Sequence, residues 1–372
     1  MEKTKQTRNL NVEVLRIFAM LLIVACHGML HITWMLNADH QSIYKPGWKS
    51  SLFYLVVQYG QVGVSIFFII SGFFLVNKKF NWTRIFKTWF QMFIYGVLVL
   101  AGVVAASFAV DLPADISTSF HGEDLIRTVC ATIVPFFYGT YWFITAYICM
   151  LLLLPFLNTL FENLSECYIN AFIGILAVFG IWVIFFGRAG AWNDVTYAVL
   201  GYMVGGWIRK YAPSHGQLLK TRYLWIAIIA TTVFLVLFNH VLMSDSQVVT
   251  LLGWRNQARP GIQFLPMIIG AAIFILVNKV DMTHVPHPLA IFTLKLAAST
   301  FGVYLLHENM FLYHLIWPAV TGIFPVPHSN LSKILIFAAS VLIVYAVASL
   351  VTFVLDTLIV HPLERKILAL KH

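Results

Sequence analysis

Charged residues are scarce in this chain. Only 10% of its 372 residues are Asp, Glu, Lys or Arg, whereas 60% are hydrophobic, and a soluble domain carries about 25% charged residues. No polar stretch is long enough to form a second, soluble domain. The composition therefore excludes a soluble protein and predicts a single membrane-embedded domain over residues 1–372.

Patterns that hold metals or disulfides are also missing. The four cysteines form no C-x-x-C pair, which disfavours a disulfide framework and a zinc site. No H-E-x-x-H motif occurs. We therefore predict no metal, and a zinc site built from His27, His307 and His314 is the weaker alternative. No internal repeat is evident, which disfavours transporter folds built from inverted repeats.

Long apolar segments, in contrast, are abundant. Ten of them have about the length of a membrane-spanning helix. They lie near residues 14–36, 52–76, 88–110, 138–160, 169–187, 195–209, 223–243, 260–278, 296–318 and 333–360. An even number of spans places both termini on one side, and 17 of the 24 lysines and arginines then fall on that side. The positive-inside rule thus predicts an all-α, multi-pass protein of about ten transmembrane helices with both termini in the cytoplasm. The net charge of +9 reflects this topology rather than nucleic-acid binding.

The first apolar segment carries three ionisable side chains. Arg16 and His27 are 11 residues apart, so at about 100° per residue they share one helix face and lie about 16 Å apart along the axis. Glu13 lies about one turn before Arg16. Ionisable groups at membrane depth usually face a bundle interior or a wet cavity. The stripe predicts a functional site, and the alternative is a signal-anchor helix with a snorkelling Arg16 and a hydrogen-bonded His27.

A basic cluster follows the second apolar segment. It consists of Lys78, Lys79, Arg84 and Lys87. Arg84 and Lys87 are three residues apart, so they share a face if a helix begins there. One interpretation of this cluster is cytoplasmic positive charge in contact with lipid headgroups. A phosphate-binding site for a nucleotide-bearing ligand is the other interpretation.

The ninth apolar segment contains further polar groups near its middle. If it is one helix, His307 and His314 lie close to the same face, whereas Glu308 points to a different face from His307. A buried glutamate must be paired, neutral or facing water. The alternative for His307 is a purely structural role, in which the ring packs in the interior with its nitrogens hydrogen-bonded. Asp356, in the last segment, lies at a similar depth to Arg16, so the two form a candidate structural pair.

Four motifs resemble the acyltransferase-3 family of integral membrane acyltransferases. They are N-V-E-V-L-R-I-F-A-M-L-L-I-V-A-C-H at 11–27, GVSIFFIISG at 63–72, YWF at 141–143 and FGVYLLH at 301–307. The resemblance spans nearly the whole chain. The run after Trp142 lacks a carboxylate that several branches have there. It resembles the branch that modifies surface polysaccharides or glycolipids.

The resemblance implies residue roles. His27 would be the catalytic residue, as general base or transient acyl carrier, and Arg16, Arg84 and Lys87 would bind the donor, an acyl-coenzyme A. Lys87 stands where the family has the second arginine of Arg-x-x-Arg, and lysine binds phosphate as a point charge rather than a bidentate fork. The supporting residues implied are Glu13, Ser71, Trp142, His307 and Glu308.

The resemblance also implies substrates and location. The expected activity is that of an O-acyltransferase, in particular an O-acetyltransferase, with acetyl-coenzyme A as donor and no tightly bound cofactor. The acceptor would be a hydroxyl of a cell-surface polysaccharide or its lipid-linked precursor, reached in the bacterial cytoplasmic membrane among membrane lipids. This chain would deliver the acyl group directly, or a separate envelope protein would complete the transfer. A transporter or flippase of a lipid-linked sugar is the main alternative, because intramembrane charges also mark transport paths, and a structural or sensory membrane protein is another.

Overall fold

The fold was analysed in a computed structural model that describes residues 9–32, 47–120, 122–134, 140–186, 192–217, 219–242, 264–325 and 327–369. These ranges contain helices and no β-strand, which confirms the all-α prediction. The helices are α1 (Leu10–His31), α2 (Trp48–Leu75), α3 (Trp82–Ser107), α4 (Gly122–Ile133), α5 (Trp142–Asn163), α6 (Glu166–Phe186), α7 (Asp194–Lys210), α8 (Thr221–Leu242), α9 (Phe264–Asn278), α10 (His287–Ala298), α11 (Thr300–His307), α12 (Leu312–Thr321), α13 (Asn330–Leu355) and α14 (His361–Ala369). Short helical turns occupy Ala114–Ser117, Thr118–Phe120 and Ala212–His215, and a π-helical turn, Asp356–Val360, joins α13 to α14.

Within the residues that the structure describes, six helical stretches are long and apolar enough to cross a membrane. They are α1, α2, α3, α5, α8 and the continuous run from α13 to α14. The pair α10 and α11 passes the same criterion as one span bent by 41°, and α6 and α9 are shorter apolar helices. Each of the ten predicted segments overlaps at least one of the helices above. A multi-helix membrane architecture is therefore present, while the number of ten spans and the direction of the termini stay predictions.

The ninth segment differs from its prediction. One helix over 296–318 is wrong, because α11 ends at His307 and α12 begins only at Leu312. Asn309 explains the break: its Oδ1 accepts the Phe311 backbone N–H at 3.0 Å, and such local bonds compete with helical ones. His307 and His314 therefore do not share a helix face, and the chain at Glu308 turns out of helical geometry.

Helix α2 packs closely between α1 and α7. A Cβ atom at Gly63 would clash with the Ala19 carbonyl of α1, and one at Gly72 would clash with the Tyr202 carbonyl of α7. Small residues at helix contacts let backbones approach closely in membrane proteins. The two glycines that bound the GVSIFFIISG motif thus have a packing role: Gly63 lets α2 approach the helix that carries Arg16 and His27, and Gly72 lets it approach α7.

Candidate active site

One cavity of about 680 Å³ extends through the helices around α1. Arg16 and Lys87 line what we call its basic end, and His27 and Glu308 line what we call its histidine end. The wall between and around them is mostly apolar, with polar side chains at Gln61, Ser71, Thr88, Gln91, Tyr147, Thr300, Tyr304, His361 and Glu364. As the 11-residue spacing predicts, Arg16 and His27 face the same space.

At the histidine end, His27 is joined to His307. The two rings are linked by a hydrogen bond between His27 Nδ1 and His307 Nε2 at 2.8 Å. The other nitrogen of His307, Nδ1, lies 2.6 Å from the Val303 carbonyl oxygen. A carbonyl only accepts, so His307 Nδ1 carries the proton and a neutral His307 accepts at Nε2. His27 therefore donates from Nδ1, and its Nε2 is left without a proton.

Glu308 also belongs to this cluster, contrary to the prediction from the sequence. We expected Glu308 to point away from the face of His307, and this is wrong, because the helix ends at His307. The Glu308 carboxylate instead lies 3.1 Å from His27 Nδ1 and 3.6 Å from His31 Nε2. A carboxylate at that distance stabilises positive charge on His27. The cluster is thus arranged for an imidazole that gains a proton at Nε2.

The same three groups have the composition of a metal site. His27, His307 and Glu308 place their ligand atoms within 4.8 Å of one another. Two nitrogens on a tetrahedral zinc ion, each about 2.0–2.1 Å from the metal, lie roughly 3.3 Å apart, whereas these two are 2.8 Å apart. The separation fits a hydrogen bond better. His314, the third ligand of the alternative zinc site, lies instead 3.5 Å from Asp115.

Tyr141 holds the break after His307 in place. Its hydroxyl donates to the Leu305 carbonyl at 2.8 Å and accepts from the Asn309 amide at 3.0 Å. Tyr141 also has a left-handed backbone conformation, with φ +55°, which costs about 1–3 kcal/mol in a residue other than glycine. This strained residue precedes α5, so the YWF motif and the FGVYLLH motif are joined at the site.

At the basic end, each predicted donor-binding cation has a partner of its own. Arg16 lies 3.6 Å from the buried Glu13, and Lys87 forms an ion pair with Glu364 of α14. Arg84 donates to the Lys79 carbonyl at 2.9 Å, but it does not line the cavity. The structure therefore brings Arg16 and Lys87 to one cavity and leaves Arg84 beside it.

The proposed pair of Arg16 with Asp356 does not form. Asp356 lies at the start of the π-helical turn, where its carboxylate accepts from Gln91 at 3.0 and 3.1 Å and from Tyr95 at 2.9 Å. Single π turns are frequent near functional sites. The turn holds the last helix against α3, next to the basic end.

Of the remaining supporting residues, two line the cavity and one lies behind His27. Ser71 and Trp142 both line it, and the Ser71 hydroxyl donates to the Phe67 carbonyl at 2.9 Å. Tyr147, whose hydroxyl is next to Ser71, lies on the same wall. His307, which is fully buried, lies behind His27.

Sequence reasoning missed several residues of this cavity. Gln61, Gln91 and Glu364 line it, yet none belongs to a predicted site. His31 belongs to the histidine cluster through Glu308, 3.6 Å from its Nε2, and it had a visible signal, since it lies four residues after His27 and hence on a neighbouring part of the same helix face. Its ring stacks on Tyr313, with centroids 4.5 Å apart.

These features define a class: a multi-pass helical membrane protein with a histidine and carboxylate cluster inside the helix bundle, reached by a cavity with a basic end. The family model described as an acyltransferase domain matches residues 9–353 of the chain. The chain therefore belongs to the acyltransferase-3 family of membrane acyltransferases. No curated protein and no solved structure gives a significant match to the chain.

Proposed function

We propose that this protein is an O-acetyltransferase of the bacterial cytoplasmic membrane. It forms one membrane-embedded domain of ten spans with both termini in the cytoplasm. It transfers the acetyl group of acetyl-coenzyme A to a hydroxyl of a cell-surface polysaccharide or its lipid-linked precursor. The observation that supports this most is the single cavity that joins Arg16 and Lys87 to His27.

The cavity suits a donor with two chemically different ends. Coenzyme A carries phosphates at one end and the thioester at the other, and cationic side chains bind phosphate by charge-assisted hydrogen bonds. With the phosphates at Arg16 and Lys87, an extended chain of about 16 Å reaches His27. The basic end then faces the cytoplasm, where the donor is made, with Arg84 adding positive charge at its rim.

His27 acts as the general base in this proposal. Its Nε2 takes the proton of the acceptor hydroxyl, which then attacks the thioester carbonyl. His307 holds His27 in the tautomer with a free Nε2, and Glu308, 3.1 Å from Nδ1, stabilises the imidazolium that forms. The proton then passes from His27 to the departing coenzyme A thiolate.

The experiment that tests this function uses the purified full-length protein in liposomes. Acetyl-coenzyme A labelled in the acetyl group is supplied with envelope glycan or glycolipid from cells that lack this chain. Mass spectrometry should find the label on the glycan as an ester that mild base removes, and the His27→Ala protein should give about 10²- to 10⁴-fold less of it. Translocation of a lipid-linked sugar with no labelled product would favour the flippase alternative. Labelling only after a second envelope protein is added would overturn direct delivery.

A further inference from the structure

Gln61 lines the cavity, but nothing in the mechanism above uses it. Its Oε1 atom is buried and has no hydrogen-bond partner. Its side chain is only partly buried, and the amide Nε2 has no partner among the described residues. The amide thus turns its oxygen into the protein and leaves two N–H donors for the cavity.

Packing between α1 and α2 fixes the level of Gln61 along the cavity. A Cβ atom at Gly60 would clash with Cys26, and one at Gly63 would clash with the Ala19 carbonyl. Increasing number on α2 therefore corresponds to decreasing number on α1, so the two helices are antiparallel. Gln61 lies just beyond the Cys26 contact, on the Arg16 side of His27.

The backbone at Gln61 is held in place by two hydroxyls. The Tyr197 hydroxyl lies 2.8 Å from the Gln61 carbonyl oxygen and donates to it. The Ser65 hydroxyl lies 2.6 Å from the same Tyr197 oxygen and donates to it. Tyr197 is fully buried, so this anchor lies away from water.

We propose that Gln61 is a second catalytic residue, whose amide N–H groups bind the carbonyl oxygen of the donor thioester. This inference rests on the proposed function, since it places an acyl-coenzyme A between Arg16 and His27. A donor that enters from the basic end brings its thioester to the level just below His27, which is the level of Gln61. A carbonyl oxygen accepts and cannot donate, so it matches an amide that offers only donors to the cavity.

The step that Gln61 assists is the formation of the tetrahedral intermediate. The acceptor oxygen bonds to the carbonyl carbon while His27 takes the hydroxyl proton, and the carbonyl electron pair moves onto oxygen. Gln61 holds this oxyanion. When the oxyanion collapses, the carbon–sulfur bond breaks and the thiolate receives the proton from His27, which leaves an ester and free coenzyme A. Fixed donors aimed at such an oxygen contribute about 10²- to 10³-fold in kcat each.

Two substitutions of similar size test the amide. Gln61→Met removes both donors, and Gln61→Glu replaces them with an acceptor. Both should lower kcat by about 10²- to 10³-fold with the KM for acetyl-coenzyme A nearly unchanged and the yield of monodisperse protein equal to that of the unsubstituted protein. A kcat for Gln61→Met within threefold of the unsubstituted protein would overturn the proposal. A fall in kcat no larger than the fall in folded protein would do the same, because it is the result expected of a packing residue.

A spectroscopic readout makes the test independent of turnover. Acetyl-coenzyme A with a ¹³C-labelled carbonyl is bound to His27→Ala protein, and the infrared carbonyl band is recorded with Gln61 present and with Gln61→Met in the same background. Hydrogen bonding by Gln61 should shift the band to lower frequency only in the first sample. Identical bands would refute the role of Gln61 even if acyl transfer is confirmed. A shifted band together with no acyl transfer by the unsubstituted protein would refute the proposed function and keep the contact.

Discussion

At the residue scale, His27 combines polar partners at Nδ1 with a place in the cavity wall. Nδ1 lies between His307 at 2.8 Å and Glu308 at 3.1 Å, whereas the ring also borders the cavity. A histidine that only packs needs neither a carboxylate beside its Nδ1 nor a place in the wall of a cavity. This combination is what distinguishes the catalytic interpretation of His27 from the packing interpretation.

We expect His27→Ala to leave the protein folded and inserted while acyl transfer falls by about 10²- to 10⁴-fold, the usual effect of losing a general base. Folded protein is measured by fluorescence-detected size-exclusion chromatography, and transfer is measured in the same membranes. Near-normal transfer in a well-folded variant would remove His27 from catalysis. Loss of folded protein in proportion to loss of transfer would show a packing residue instead.

Arg16→Ala should weaken use of the donor. Loss of a charge-assisted phosphate contact costs about 1.5–3 kcal/mol, so the KM for acyl-coenzyme A should rise by about 10- to 100-fold. Lys87→Arg is the matched control, since it keeps the cation and adds a bidentate fork, and it should be tolerated or mildly beneficial. An unchanged KM in Arg16→Ala would exclude Arg16 from donor binding.

At the scale of elements, the helical register of α1 places Arg16 and His27 on the same face, toward the cavity. Insertion of one alanine between Arg16 and His27 rotates one against the other by about 100°. Transfer should be abolished although both side chains are still present. One alanine inserted after Ile32, beyond the helix, is the control and should retain activity. Equal activity of the two insertion variants would show that the shared face does not matter.

The last helix covers part of the basic end. Glu364 of α14 forms an ion pair with Lys87, and both line the cavity, so a phosphate that binds Lys87 must compete with Glu364. The Lys87 side chain is 50% exposed, and exposed pairs contribute about 0–1 kcal/mol. Glu364→Gln should therefore tighten apparent donor affinity by up to about fivefold, measured by titration of coenzyme A. Weaker affinity would mean that Glu364 supports donor binding rather than opposing it.

At the scale of the whole molecule, the distribution of lysine and arginine predicts the orientation. Tags at both termini should react only with reagents that reach the cytoplasm, because 17 of the 24 basic residues fall on that side in the ten-span topology. Single-cysteine labelling of intact cells with an impermeant reagent checks this. A terminus labelled from outside would reverse the orientation and place the basic end away from cytoplasmic coenzyme A.

The sequence by itself determined the local features of this protein. Hydropathy located the long apolar helices, because the length of an apolar run is a property of consecutive residues, although it missed α4 and the break in the ninth segment. Helical periodicity placed Arg16 and His27 on one face, because that relation depends only on 3.6 residues per turn. Four motifs sufficed for the family, which the match over residues 9–353 confirms.

Tertiary structure alone decided how these parts meet. The bond from His27 to His307 joins residues 280 apart in sequence, and no local period encodes such a distance. The turn of Glu308 toward His27 depends on Asn309 ending the helix and on Tyr141, which precedes α5, holding Asn309 there. The position of Gln61 likewise depends on glycines that let α2 approach α1. Sequence periodicity specifies which face a side chain occupies, whereas only the packing of helices against one another specifies what that face meets.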